Sequence, residues 1–102
     1  MTYKLAFYNK NSKKDWQKLP ENIKETFKKH LKKRMENPHV ASARLSDELE
    51  DCYKIKLMKE GYRLVYQVED NKLLLVLITA GKRERSAAYK RAVHILQKLS
   101  TY

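Results

Sequence analysis

The sequence predicts an α+β domain in which helices pack on a small, mostly antiparallel sheet, with the element order βααβββα. Two apolar periods support this prediction. Apolar residues recur at every fourth position over residues 23–35 and at every second position from residue 52 onward. In addition, 102 residues with 42% apolar content suffice for one core, so we expect a single domain that spans residues 1–102.

An N-terminal strand and a short helix are predicted first. Tyrosine, leucine and phenylalanine occupy alternate positions within residues 2–8, which is typical of a strand. Residues 9–12 are turn-like, and Asp15 follows Ser12 at a distance of three positions. Because this spacing resembles a capping box, we expect the helix to be capped by Ser12 and to reach Leu19.

A second, longer helix is predicted after Pro20, because proline fits the first turn of a helix. Its expected buried stripe is Ile23, Phe27, Leu31 and Met35, and Asn37-Pro38 ends it. Lysines fill its other faces: Lys24, Lys28, Lys29, Lys32 and Lys33. Such a face is often only solvated, so solvation and docking on RNA stay open as alternatives.

Three strands are predicted after an irregular segment at residues 38–51. Alternation places Tyr53, Ile55 and Leu57 on one face of the first strand, and a turn at residues 59–61 leads into the second. The second strand has the same pattern, with Tyr62, Leu64, Tyr66 and Val68 on its core face.

The last predicted strand and a final helix complete the domain. Residues 73–80 are apolar at nearly every position, so this strand is expected to lie inside the sheet, covered on both faces. A charged loop is predicted at residues 81–85, and Ser86 can cap the helix that follows.

The charge of the chain favours a polyanionic partner. Lys and Arg number 23 against 12 Asp and Glu, which gives a net charge of +11. RNA, DNA or a ribosomal surface would be attracted by such a field, although a basic surface can also serve solubility alone. No apolar run reaches the ~18–20 residues of a membrane span, and no signal peptide is seen, so we expect a cytoplasmic protein without a membrane partner.

The predicted hairpin brings cations together. If the tyrosine and aliphatic residues of both strands share the core face, Lys54, Lys56 and Arg63 share the opposite face. With a four-residue loop, Lys56 would face Arg63 directly, and like charges in that position repel by about 0.2–1 kcal/mol. A lysine-blunted, solvent-facing sheet is the alternative interpretation. Because Lys82, Arg83 and Arg85 follow the buried strand, we favour an anion site that binds phosphate.

Other catalytic chemistries lack support in the sequence. The single Cys52 excludes an internal disulfide and a multi-cysteine zinc site, and the acidic residues 47–51 have no spacing that would organise a metal. His30, expected near the core face of its helix, His39 and His94 are far apart in the sequence. We therefore expect neither a metal nor a cofactor. Cationic chemistry on RNA remains, with the 2′-hydroxyl as nucleophile.

Three stretches that include these cations resemble the RelE toxins of bacterial toxin–antitoxin pairs. They are residues 51–57 (DCYKIKL), residues 61–68 (GYRLVYQV) and residues 81–86 (GKRERS) followed by Tyr89. The N-terminal half, with Trp16 and the Glu36-Asn37-Pro38 segment, is similar as well. The resemblance covers nearly the whole chain and implies a compact RelE-like, microbial RNase-type fold.

The resemblance also implies an activity and residue roles. The activity is ribosome-dependent, metal-independent cleavage of mRNA in the A site, which leaves a 2′,3′-cyclic phosphate and a 5′-hydroxyl. Lys54 would accept the 2′-hydroxyl proton, Lys56 and Arg63 would hold the phosphate, and Arg83 would stabilise the transition state. Tyr89 would orient the substrate, although packing of Tyr89 in the core stays open. Lys82 and Arg85 would contact the substrate.

The implied partners are a cognate RelB-like antitoxin and the 70S ribosome with its mRNA, while operator DNA would be bound only through the antitoxin. One departure from the family lies at residues 44–50, which are longer and more acidic than the usual loop. Two other functions remain as alternatives: inhibition of gyrase by a ParE-like toxin, and binding of RNA or the ribosome without catalysis.

Overall fold

The computed structural model describes residues 2–45 and 51–82. Their regular elements are the strand β1 (Lys4–Phe7), the helices α1 (Lys10–Gln17) and α2 (Glu21–Glu36), and the strands β2 (Cys52–Leu57), β3 (Tyr62–Glu69) and β4 (Leu74–Lys82). Short 3₁₀ turns occupy Ala41–Ala43 and Asp70–Lys72. The predicted order is confirmed as far as β4, and the predicted final helix lies outside the described residues.

The four strands form one mixed sheet in the order β1-β4-β3-β2. β1 runs parallel to β4, whereas the β2/β3 and β3/β4 pairs are antiparallel. The mostly antiparallel sheet is therefore confirmed. β4 lies inside the sheet, and its residues from 75 to 80 are buried, as the apolar run predicts.

α2 packs on one face of the sheet and forms the first core. Ile23, Phe27 and Leu31 are at most 3% exposed, and Met35 packs at the edge, so the predicted stripe is confirmed. The placement of His30 near the core is wrong, because His30 is exposed. No helix of the described segments is long and apolar enough to span a membrane.

The opposite face of the sheet also carries buried apolar residues. Cys52, Val65, Val76 and Ile78 form this second core, and Tyr8 packs against it. Since β-strand side chains alternate between faces, these residues share their face with Lys54, Lys56 and Arg63. The cationic residues therefore lie beside a second hydrophobic core.

α1 begins three residues earlier than predicted, and Asn9 caps it in place of Ser12. The Asn9 side chain accepts a hydrogen bond from the Ser12 main-chain nitrogen at 2.8 Å. Ser12 is buried, and its hydroxyl donates to the main-chain oxygen of Ile78 at 2.6 Å. β1 pairs with β4 only as far as Leu77, so the Ser12 hydroxyl satisfies a carbonyl that β1 does not reach.

β4 ends two residues later than predicted, because its pairing with β3 continues to Tyr62, the first residue of β3. Gly81 pairs with Arg63, and Lys82 pairs with Tyr62, so neither lies in a loop. At the other end β4 begins after Leu73, whose φ of 53° lies in the left-handed region. This residue closes the turn after β3 through its main-chain nitrogen, which donates to the main-chain oxygen of Asp70 at 3.2 Å.

Candidate RNA-binding face

The β2–β3 hairpin sets the geometry of the candidate site. Residues 58–61 connect the strands, and the Gly61 nitrogen donates to the Leu57 oxygen at 2.8 Å. Gly61 has a φ of 76°, a conformation that glycine adopts without strain. This loop places Lys56 directly opposite Arg63, which confirms the predicted register.

Lys54 completes a group of three cations on this face, which we call the cationic patch (Lys54, Lys56, Arg63). Lys54 pairs with Val65, two positions along the strand from the pair formed by Lys56 and Arg63. Opposed residues have Cα atoms about 4.5–5.5 Å apart, and positions i and i+2 on a strand are separated by about 6.6 Å. The three positive charges are therefore within reach of one phosphate group.

The surroundings of the cationic patch are partly apolar. Lys54 and Arg63 are half-buried, whereas Lys56 is exposed. The second core lies next to them, since Cys52 precedes Lys54 by two positions and Val65 is fully buried. Electrostatic interactions are stronger beside apolar groups than in water, and a bound phosphate would replace mutual repulsion by attraction.

α2 anchors the strand that carries Lys54. Arg34 Nη1 donates to the main-chain oxygen of Lys54 at 3.3 Å and to the Tyr66 hydroxyl at 2.9 Å. The Tyr66 hydroxyl in turn donates to the main-chain oxygen of Pro38 at 2.8 Å. Burial raises the pKa of Tyr66, and the hydrogen bond from Arg34 acts in the opposite direction. The helix, the segment after it and two strands are thus fixed together behind the cationic patch.

α1 anchors β4, the strand that lies on the other side of β3 from β2. The Thr79 hydroxyl donates to Asp15 Oδ2 at 3.0 Å, one position after the carbonyl that Ser12 satisfies. Two residues further, Gly81 pairs with Arg63. Asp15, which the sequence suggested as part of a capping box, instead holds the end of β4 where it adjoins the cationic patch.

The other predicted site residues are placed differently. Lys82 is exposed at the end of β4, opposite Tyr62. Tyr62 packs against the first core, so the register puts Lys82 on the α2 side of the sheet, next to the cationic patch but not within it. Arg83, Arg85 and Tyr89 lie outside the described residues, as does His94.

A polar network that the sequence did not reveal joins the ends of distant segments. His39 Nδ1 lies 2.8 Å from the Tyr53 hydroxyl, and His39 Nε2 lies 2.8 Å from Asp70 Oδ1. The Tyr3 hydroxyl donates to the same Asp70 oxygen at 2.5 Å. Tyr53 also stacks on Tyr66, with ring centroids 5.5 Å apart.

We call this network the clasp, because it links the N-terminal segment, the segment after α2, β2 and the turn after β3. Both ring nitrogens of His39 have hydrogen-bond partners within it. The hydrogen bond from Tyr3, followed by that from His39, lowers the pKa of Asp70. Within the segments that the structure describes, no three His, Cys, Asp or Glu side chains come together as metal ligands.

Comparisons with known proteins show the family to which the chain belongs. Residues 7–87 match the family model of ParE toxins of the parDE type II toxin–antitoxin system. The chain is 45% identical over 93 residues to the mRNA interferase toxin RelE of Escherichia coli, a match that covers 91% of this chain and 96% of that relative.

Solved structures of E. coli RelE have the same fold as this chain. A mutant RelE in the free state superimposes with a TM-score of 0.84 at 42% identity and covers 94% of this chain and 99% of its own. The toxin in the intact E. coli RelBE toxin–antitoxin complex has a TM-score of 0.75 at 43% identity. This match covers 81% of this chain and 99% of that toxin chain. The predicted α+β RelE-like fold is confirmed, and the chain belongs to the RelE-like toxins within the ParE toxin family of type II toxin–antitoxin systems.

Proposed function

We propose that the protein is the toxin of a type II toxin–antitoxin pair and acts as a ribosome-dependent endoribonuclease that cleaves mRNA in the A site. The observation that carries this proposal is the register of the β2–β3 hairpin, which gathers the cationic patch on one face. The relative named as an mRNA interferase supports the reaction class. We further propose that the one domain of residues 1–102 carries the whole activity, and that the protein works in the cytoplasm, where ribosomes are.

The proposed reaction is an attack of a ribose 2′-hydroxyl on the adjacent phosphorus, with breakage of the bond to the 5′-oxygen. Lys54 takes the 2′-hydroxyl proton, while Lys56 and Arg63 hold the phosphate oxygens and offset the charge that develops on them. Arg83 supports the transition state and supplies a proton to the leaving 5′-oxygen. Tyr89 orients the substrate, and Lys82 and Arg85 bind it. The products are a 2′,3′-cyclic phosphate and a 5′-hydroxyl.

A second basic surface supports the ribosome as partner. On α2, Lys29, Lys32 and Lys33 are exposed and form no ion pair within the described residues, whereas Lys24 and Lys28 pair with Glu21 and Glu25. α2 covers the sheet face opposite the cationic patch. The molecule can therefore bind mRNA on one side and a second polyanion, the ribosomal RNA, on the other.

The test uses ribosomes programmed with a defined mRNA and the purified protein, with the 5′ ends of the products mapped. We expect cuts within the A-site codon and loss of cutting by orders of magnitude in Arg63→Ala. Lys59→Ala, an exposed lysine in the hairpin loop, is the matched control and should cut like the wild type. Absence of A-site cuts with folded protein would overturn the proposal.

Gyrase inhibition is the second candidate, because the matching family model is that of ParE toxins. Inhibition of gyrase would not require the cationic patch. A supercoiling assay with purified gyrase separates the two functions: a gyrase inhibitor would block supercoiling equally with and without Arg63→Ala and would leave mRNA uncut.

The antitoxin partner is supported by the RelBE complex formed by a similar toxin. We propose that a RelB-like antitoxin lays an acidic or amphipathic segment over the basic surfaces and so excludes RNA, and that operator DNA is bound only through the antitoxin. Co-expression with the product of a neighbouring reading frame should give a stable complex that no longer cleaves mRNA.

A further inference from the structure

A cleft of about 340 Å³ opens at the end of the sheet, on the α2 side. Its walls come from the end of α1, from the segment between α1 and α2, and from the adjoining ends of β3 and β4. Asp15 lines it and accepts a hydrogen bond from Thr79. The other lining residues that matter here are Lys18, Leu19, Pro20, Tyr62, Gly81 and Lys82. Small-molecule sites have volumes of about 300–1,000 Å³, so this cleft suits a small planar group.

The cleft adjoins the cationic patch. Lys56, Arg63 and Gly81 form one row across the three strands, and the next row contains Tyr62 and Lys82. Successive rows are only about 3.3 Å apart, and neighbouring side chains point to opposite faces. An RNA strand held by Arg63 on one face therefore needs to pass only around the end of the sheet to reach Tyr62 on the other.

The lining chemistry fits a nucleotide. The Tyr62 ring is half-buried and packs against the first core, which fixes it, while Leu19 and Pro20 add apolar walls. Lys18 and Lys82 are exposed at the rim and form no ion pair with any described residue. Sites for single-stranded nucleic acid combine an aromatic stacking surface with cations that follow the backbone in this way.

We propose that this cleft, here called the end cleft, binds the base of a nucleotide adjacent to the scissile phosphate, with Tyr62 stacking on the base and Lys18 and Lys82 contacting its sugar–phosphate backbone. The inference rests on the proposed RNA-cleaving function and adds a base subsite to it. Tyr62 is then a residue that positions the substrate and helps to choose the cut site.

The experiment measures kcat and KM on ribosomes that carry mRNAs with a single abasic nucleotide on either side of the cut. For the wild type, removal of the base at one of these two positions should lower kcat/KM by about 5- to 100-fold, the range expected for base–aromatic stacking. In Tyr62→Leu, which keeps an apolar side chain against the first core, the same removal should have almost no effect. Equal losses in both proteins would overturn the base subsite.

Three lysine variants keep the test decisive if Tyr62→Leu is poorly folded. Lys18→Ala should raise KM several-fold, and Lys18→Arg should restore it, whereas Lys13→Ala, which changes an exposed lysine of α1 outside the end cleft, should leave KM unchanged. If Lys18→Ala and Lys13→Ala behave alike, the inference is wrong. If the wild-type protein still cleaves mRNA in that case, the proposed RNA-cleaving function stands and only the base subsite is refuted. If the wild-type protein cleaves no mRNA, the proposed function itself is refuted.

Discussion

The guanidinium of Arg34 reaches from α2 to the main-chain oxygen of Lys54, at 3.3 Å. The same nitrogen donates to the Tyr66 hydroxyl, and the guanidinium lies over the Tyr66 ring, 5.8 Å from its centroid. Arg34 therefore ties the helix to the strand that carries the proposed proton acceptor, without itself lying on the face where RNA would bind.

Arg34→Met should lower both stability and activity. The methionine keeps the apolar stem but removes two hydrogen bonds, so we expect a loss of about 1–3 kcal/mol in the free energy of unfolding. Urea titration measures this loss. Cleavage should show a lower kcat with KM little changed, because the substrate contacts remain. Activity and stability equal to those of Lys33→Met, an exposed neighbour on α2, would contradict the positioning role.

Lys56→Glu should abolish cleavage. The glutamate would stand opposite Arg63 and place a negative charge where the phosphate oxygens are proposed to bind, so kcat/KM on programmed ribosomes should fall by orders of magnitude. Lys59→Glu, in the hairpin loop, makes the same change of charge and should cut nearly like the wild type. Normal cleavage by Lys56→Glu would contradict the role of Lys56 in holding the phosphate.

Gly61→Ala should cost about 1 kcal/mol, measured as a lower urea midpoint. The cost comes from the φ of 76° alone, since a Cβ at this position would meet no atom within 4 Å. Glu60→Ala, at the preceding exposed position, should be nearly neutral. If the two variants are equally stable, Gly61 is not held in the left-handed conformation.

The Cys52 thiol should be inert in the folded protein. It is buried, and burial raises its pKa from 9.0 to about 12. A thiol reagent at pH 8 should therefore label the protein only after unfolding. The thiol of the unfolded chain ionises at a lower pH than the buried thiol. The contribution of Cys52 to the free energy of unfolding should therefore be fully present below pH 9 and be lost as the pH rises towards 12. The buried tyrosines contribute in the same direction, so Cys52→Ala should reduce this fall without abolishing it.

The clasp around Asp70 should give stability that acid removes. Its pKa lies below the ordinary value of 3.8, chiefly because Tyr3 and then His39 donate hydrogen bonds to the carboxylate. A lowered pKa in the folded state means that the stability is present above pH 3.8 and is lost as the pH falls through the folded-state value. Thermal melts of the wild type and Asp70→Asn should differ at pH 6 and converge in strong acid. A constant difference would contradict this.

Local patterns were sufficient to predict much of the fold. The stripe of α2 and the alternation of β2 and β3 predicted the first core, and the same alternation predicted that Lys54, Lys56 and Arg63 share a face. These features depend on residues close together in the sequence. The length of β4 was not predictable in the same way, since Gly81 and Lys82 look like a loop until pairing with β3 extends the strand.

Features that join distant segments were missed because no local pattern in the sequence reveals them. Asn9 and Ser12 are both good caps, and only the folded structure shows that the Ser12 hydroxyl donates to the main-chain oxygen of Ile78 instead. His39 and Asp70 are 31 positions apart, and nothing local marks them as partners. The end cleft likewise combines Lys18 with Tyr62 and Lys82, which meet only after the sheet has formed.

The hairpin loop at residues 58–61 links the stability of the fold to the assembly of the cationic patch. A strand that slips by one residue sends every side chain to the other face, so Lys54 and Lys56 would enter the first core and Ile55 would leave it. A chain with this incorrect pairing would lose its core packing and its cationic patch together, so misfolded copies would be inactive as well as unstable.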